Sequence, residues 1–246
     1  MPNPLVRKLQ RYVRLSDADQ VWLEEALAPG RPIAARTDIN EEGDDRRAVN
    51  VILDGWACRY RQLRDGRRQI VAFLLPGDPC DPHVFLLDQM DHAIGAITPV
   101  SLGQIPGASL QAITARSSTL DLAFHREALA TAAVQREWTV SLGSRTGIER
   151  LAHLFCELHA RLSTIGLTDG NACALPLTQS DLGDAMGQTS VHINRTLQEM
   201  RSLGLITLRS RRLTINDPAA LAALAHFDPT YLHLTVDADR SDRWRP

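Results

Sequence analysis

Residues 175–206, LPLTQSDLGDAMGQTSVHINRTLQEMRSLGLI, gather hydrogen-bonding side chains at a spacing that could do chemistry. Thr178, Gln188, Thr189, Ser190, His192, Asn194 and Arg195 lie there, and Arg209, Arg211 and Arg212 follow closely. Hydroxyl, amide and guanidinium groups are the donors and acceptors that meet phosphate oxygens and base edges. From Gly187 to Ile215 five arginines (195, 201, 209, 211 and 212) face Glu199 as the lone carboxylate. That local excess suits a polyanion through phosphate neutralisation, although the whole chain has a formal charge of −2. The chemistry implied is recognition, not bond breaking.

Other constellations are weaker. Cys80, Asp81, His83, Asp88, Asp91 and His92 crowd one loop and could suggest a metal or haem site, but their spacing matches no tetrahedral zinc motif. They read better as solvated loop polars. Cys156 and His159 share a helical turn and could sense oxidation or metal; a buried thiol beside a packed histidine fits as well. Asp54 and Asp65 belong to Asp-Gly turns, and Asp44-Asp45 to a solvated loop. No G-x-S-x-G, P-loop or H-E-x-x-H pattern occurs. A metal- or redox-responsive β-roll, or a cupin-like metal enzyme using the His83/His92 loop, is the alternative to a DNA-binding protein.

The elements that must position the polar set follow from periodicity. Leu182, Ala185 and Met186 line one side of a first short helix, and Ile193, Leu197 and Met200 one side of a second. Thr178 with Asp181 three residues on marks a helix start. Gly187 fits the turn, and Thr189 or Ser190 caps the second helix. Helix, glycine turn and a helix with polar leading residues form a helix-turn-helix, whose second helix enters the major groove. Gly204 ends that helix; 205–208 and 213–215 then flank the basic turn Arg209-Ser210-Arg211-Arg212 as a two-stranded wing.

Upstream the texture differs. Ser16-Asp17-Ala18-Asp19 opens a helix through Val21, Leu23 and Leu27 that stops at Pro29-Gly30. Short β-prone runs at 49–53, 57–63 and 69–75 are separated by Asp54-Gly55 and Asp65-Gly66, strong hairpin signals, and 93–98 and 100–105 add further strands. This predicts an antiparallel jelly roll. After a short helical turn, a long helix begins near Ser117-Ser118. Its stripe of Leu120, Phe124, Val134, Trp138 and Leu142 could line a dimer seam or pack on its own β-domain; the dimer is the expectation. Leu142-Gly143-Ser144-Arg145 reads as a hinge, and Thr146 with Glu149 as a capping box for the next helix.

A length of 246 residues and a hydrophobic fraction of 44% allow one large domain or two smaller ones with ordinary cores. Lys8 is the only lysine. Cys58, Cys80, Cys156 and Cys173 lie far apart and fit reduced thiols; neither a signal peptide nor a membrane-spanning run is evident, so a cytoplasmic protein is expected.

The order of these parts resembles the Crp/Fnr family of bacterial transcription regulators over nearly the whole chain. Leu74-Leu75-Pro76-Gly77-Asp78, Arg136-Glu137-Trp138, 149–154 and 178–205 carry the resemblance. It implies an α+β fold: a cyclic-nucleotide-binding-like β-roll (1–116), a dimerisation helix and hinge (117–145) and a winged helix-turn-helix (146–236); the charged last ten residues (237–246) read separately as a disordered tail. It also implies a homodimer on double-stranded palindromic DNA, in contact with RNA polymerase. Two departures stand out. Nucleotide-binding relatives hold the cyclic phosphate with a Gly-Glu pair and an Arg-Ser or Arg-Thr pair; here Pro79-Cys80-Asp81-Pro82 and Asp91-His92 occupy those regions. Aspartates repel a phosphate, so cAMP is disfavoured; no cofactor is assigned, and the β-roll could instead bind another small molecule, respond to redox state or be constitutively set. In the recognition helix Arg195 keeps the family's base-reading arginine, but Val191 stands where relatives place a glutamate. Ser190, His192 and Asn194 remain as candidate contacts, and an altered half-site follows.

Overall fold

The computed structural model describes residues 3–44, 47–82, 86 and 89–234. The expected tail at 237–246, and His83 and Asp88 of the polar loop, lie outside the described residues.

Helices α1 (Pro4–Leu9) and α2 (Asp17–Ala26) precede the β-roll. The α2 start is the expected one: the Ser16 hydroxyl accepts from Asp19 N, while the Asp19 carboxylate accepts from Ser16 N. Strands β1 (Ala28–Ile33), β2 (Asp38–Asn40), β3 (Ala48–Asp54), β4 (Ala57–Gln62), β5 (Arg68–Leu74), β6 (Pro79–Cys80), β7 (Ala93–Ala96) and β8 (Val100–Pro106) form two antiparallel sheets, ordered β1-β8-β3-β6 and β2-β7-β4-β5. Ile39, Ile52, Leu74, Ile94 and Leu102 fill the space between them. The turn after Pro106 is a full helix, α3 (Gly107–Arg116), longer than its sequence suggested.

Helix α4 (Ser118–Ser144) starts at the Ser117 cap and runs unbroken through most of the expected hinge; the break falls at Arg145–Thr146. Its dimer-seam assignment needs revision. Leu120, Phe124 and Trp138 are buried in the chain's own cores, the first two against α1–α3 and β3/β8, and Val134 is half-buried. Of the expected stripe only Leu142 is exposed; Leu122, Leu129 and Val140 supply the other open apolar side chains. The apolar residues of α4 span more than one face, so periodicity alone could not say which face its own chain covers.

Helix α5 (Gly147–Thr164) carries the expected Thr146/Glu149 capping box. Strands β9 (Thr168–Asp169) and β10 (Ala172–Ala174) join β11 (Ile206–Arg209) and β12 (Arg212–Ile215) in a four-stranded sheet ordered β11-β12-β10-β9. Helices α6 (Gln179–Met186), α7 (Ser190–Ser202) and α8 (Pro218–Ala225) and a 3-10 turn (Pro229–Leu232) complete the described chain. One core joins the two halves: Trp56, Tyr60, Ile70 and Phe73 of the β-roll pack with Trp138, Leu154, Phe155, Leu182 and Met186. Trp138 is edge-on to Phe73 at 5.8 Å.

Candidate nucleic-acid interface

The geometry of α6 and α7 follows from local chemistry. Asp181 N donates to the Thr178 hydroxyl (3.1 Å), and the Asp181 carboxylate accepts from Thr178 N (2.9 Å) and its hydroxyl (2.7 Å). Gly187 closes α6 in the left-handed region (φ 63°). The turn is tight enough that a Cβ at Gly183 would lie 2.6 Å from the Gln188 carbonyl oxygen, so the bend depends on glycine there too. Thr189 caps α7, accepting from His192 N. Ile193, Leu197 and Met200 are buried, which turns the opposite face of α7 outward.

On that outer face Ser190, Val191, His192, Asn194 and Arg195 are exposed together. Asn194 donates to Gln179 across the leading ends of the two helices (3.3 Å). Thr178 and Thr189 are exposed beside them. Gln188 departs from the expected set: it is half-buried against Gly147, and its Oε1 is buried with no partner. The wing turn has Ser210 and Arg211 both at positive φ (48° and 59°), the two-residue hairpin geometry that matches strand twist. Arg209, Arg211 and Arg212 are exposed on it, with Arg212 paired to Asp169 at 2.9 Å. The half-buried Arg201 reaches the Leu208 carbonyl and ties α7 to β11.

Comparison with known proteins agrees with this geometry. Residues 149–224 match the Crp-like helix-turn-helix domain and 31–117 the cyclic nucleotide-binding domain. The chain is 31% identical over 219 residues to the nitrogen fixation regulation protein FixK of Bradyrhizobium diazoefficiens, covering 85% of this chain and 88% of that protein. The chain belongs to the Crp/Fnr family of transcription regulators. The transcriptional activatory protein AadR of Rhodopseudomonas palustris is 29% identical, with 89% and 90% covered. The fold of FixK2 from Bradyrhizobium japonicum superposes with a TM-score of 0.71 at 24% identity, covering 80% of this chain and 97% of that one. The family is one of transcription regulators, not of enzymes, which disposes of the cupin-like alternative.

In this Crp/Fnr regulator a largely apolar cavity of about 660 Å³ lies between the β-roll and α4. Asp81, Asp91 and His92 line it with Arg59, Arg61 and the α4 residues Ala128, Thr131, Ala132 and Gln135. Its charges are already matched. Asp81 meets Arg59 (3.0 Å) and His92 (2.9 Å), His92 meets Asp91 (2.6 Å), and Arg61 meets Glu42 (3.2 Å). Burial would raise the Asp81 carboxyl, but Arg59 and His92 hold it below its ordinary value.

The thiols lack the character of reactive cysteines. All four are unpaired and buried, and burial pushes Cys58 and Cys156 up to about 12 and Cys173 to about 11. Among the described residues no group of three or more His, Cys, Asp or Glu side chains could hold a metal ion, and no helix is long and apolar enough to cross a membrane.

Two groups of polar contacts across the halves were not legible in the sequence. Arg36, at φ 63°, makes a bidentate pair with the fully buried Asp181 (2.7 and 2.9 Å). Arg68 reaches Asp181 (3.2 Å) and Asp184 (2.8 Å), and Gln69 donates to the Ala185 carbonyl (3.2 Å). The first helix of the DNA-binding pair is thereby clamped to the β-roll. Deeper in, Arg161 of α5 holds Asp78 (2.8 Å) and Glu157 (3.1 Å), Lys8 also holds Asp78 (2.7 Å), and Trp138 and Tyr231 donate to Glu157 (each 3.0 Å). Burial alone would raise the Asp78 carboxyl; Lys8 and Arg161 overcome it and hold it near 2.

Proposed function

We propose that this regulator binds a palindromic promoter site as a cytoplasmic homodimer, works with RNA polymerase and does so without cAMP. The observation that carries the DNA part is the outward face of α7, with Ser190, His192, Asn194 and Arg195 exposed at its leading end beside an arginine wing. Phosphate contacts from Thr178, Thr189 and the wing arginines set the register, and side chains on α7 read base edges. Dimerisation would use the open face of α4, where Leu129 is 66% exposed and Leu122 and Val140 nearly half. Positions 122, 129 and 140 recur at roughly helical-seam spacing, unlike the inward-facing Leu120 and Phe124. Independence from cAMP is supported by the cavity, where Arg59 and Arg61 are committed to Asp81 and Glu42 and two aspartates stand near any bound phosphate.

Binding-site selection from random duplexes tests this reading. The expected product is one inverted repeat bound by the wild-type chain, with Arg195→Ala losing about 10-fold or more in specific affinity, the value of one bidentate base contact. Selection without an inverted repeat, or unchanged specific binding by Arg195→Ala, refutes it. Stoichiometric micromolar cAMP binding in a calorimetric titration refutes the cAMP part.

A further inference from the structure

Val191 is 78% exposed, the most open large apolar side chain among the described residues. A single exposed valine is ordinary on a protein surface; its place is what matters here. It sits on the first turn of α7, on the face opposite the buried Ile193, Leu197 and Met200, and four residues before the exposed Arg195. Its neighbours Ser190, His192 and Asn194 are all polar. An apolar side chain there can gain only by covering an apolar group on whatever α7 meets.

We propose that Val191 reads the C5 methyl of a thymine lying one or two base steps from a guanine held by Arg195. The inference rests on α7 being the DNA-reading helix. The major-groove edge has one apolar feature, the thymine methyl, and arginine's bidentate partner there is guanine O6/N7. Four residues of α-helix advance about 6 Å, and successive bases are stacked about 3.4 Å apart, which sets the separation at one or two steps. Valine also discriminates by omission. It has no acceptor for the cytosine amino group, so a cytosine at that position would be left dehydrated and unpaired.

The test uses the full-length protein and the duplex recovered by selection, with affinity read by fluorescence anisotropy at one fixed salt concentration. Each thymine within two steps of the guanine is replaced by deoxyuridine, which removes one methyl and leaves the hydrogen-bonding edge intact. One position should weaken wild-type binding about fourfold per half-site, and about fifteenfold when both half-sites are changed, from the usual value of one buried methyl group. Val191→Ala should bind thymine and uracil duplexes nearly equally, and Val191→Thr, which keeps a methyl, should retain part of the difference. Specific binding by the wild type with no uracil effect at any such thymine overturns the proposal while leaving the DNA-reading role of α7 intact. So does a uracil effect that survives undiminished in Val191→Ala. Absence of any sequence-specific binding overturns both.

Discussion

Replacing Arg36 with alanine removes the most direct polar contact between the β-roll and α6. Two charge-assisted hydrogen bonds, at 2.7 and 2.9 Å, are lost from a carboxylate with no solvent exposure. Such bonds are worth roughly 1.5–3 kcal/mol each when buried. The Arg36 side chain is itself 46% exposed, so solvent screening reduces the total, and Asp181 keeps Arg68 and its Thr178 capping bonds. A net loss of about 2 kcal/mol follows, a roughly 30-fold rise in the undocked population of α6 if the loss falls on the docking equilibrium. Alanine inherits the same positive φ, so the backbone term largely cancels. Burial would raise the Asp181 carboxyl, but hydrogen bonds from Arg36 and Thr178 hold it below its ordinary value. A depressed carboxyl contributes stability that is complete above its unfolded pKa near 4 and is lost as pH falls through the lower folded value. The gap between wild type and variant should therefore be full at pH 7 and shrink on acidification below about 4. Hydrogen exchange of the α6 amides and denaturant unfolding at both pH values measure it. Equal exchange and equal stability at pH 7, or a gap that does not shrink in acid, would refute the reasoning.

Two further outcomes can be checked. Burial first, and then the Arg145 charge, lower His153 to about 4; the unfolded chain takes up the proton nearer 6.5, so stability should fall by about 3 kcal/mol as pH drops from 6.5 through 4. His153→Gln should flatten that part of the denaturant-midpoint profile, and an unchanged slope would clear His153 of the effect. Leu129→Asp should shift the sedimenting species towards monomer with unfolding stability nearly unchanged, whereas Phe124→Ala should cost about 3–5 kcal/mol of stability; a Leu129→Asp protein that sediments like wild type rules out the open face of α4 as the seam.

Signals that are local in sequence located most of this molecule. Asp65-Gly66 placed the β4–β5 hairpin turn because a positive φ after aspartate leaves few alternatives; Gly55 adopts a positive φ too, but Asp54-Gly55 is no hairpin, since it carries the chain from β3 in one sheet to β4 in the other. Thr178, Gly187 and Thr189 bounded the helix pair because caps act within three residues. Strand β1 escaped notice because Pro29 and Gly30 look like a helix stop, and an edge strand tolerates both. The inward face of α4 was misassigned because burial of Leu120 and Phe124 depends on α1–α3, which local periodicity does not register. The clamp was invisible for a related reason. Arg36 and Asp181 are 145 residues apart, and a lone arginine beside a turn has no pattern that names its partner.

The shared core makes this regulator a poor source of interchangeable parts. A recognition unit cut out at residue 146 would take Arg161 away from Asp78 and Glu157 away from the Trp138 indole, leaving buried charge half-matched. It would also bare the side of Leu154, Phe155 and Met186 that meets Phe73 and Ile70 in the same core. A chimera that grafts these helices onto another sensor must therefore import the outer face of β4 and β5 with them. The transferable cassette is defined by the surface it leans on, and the position of the hinge does not mark its edge.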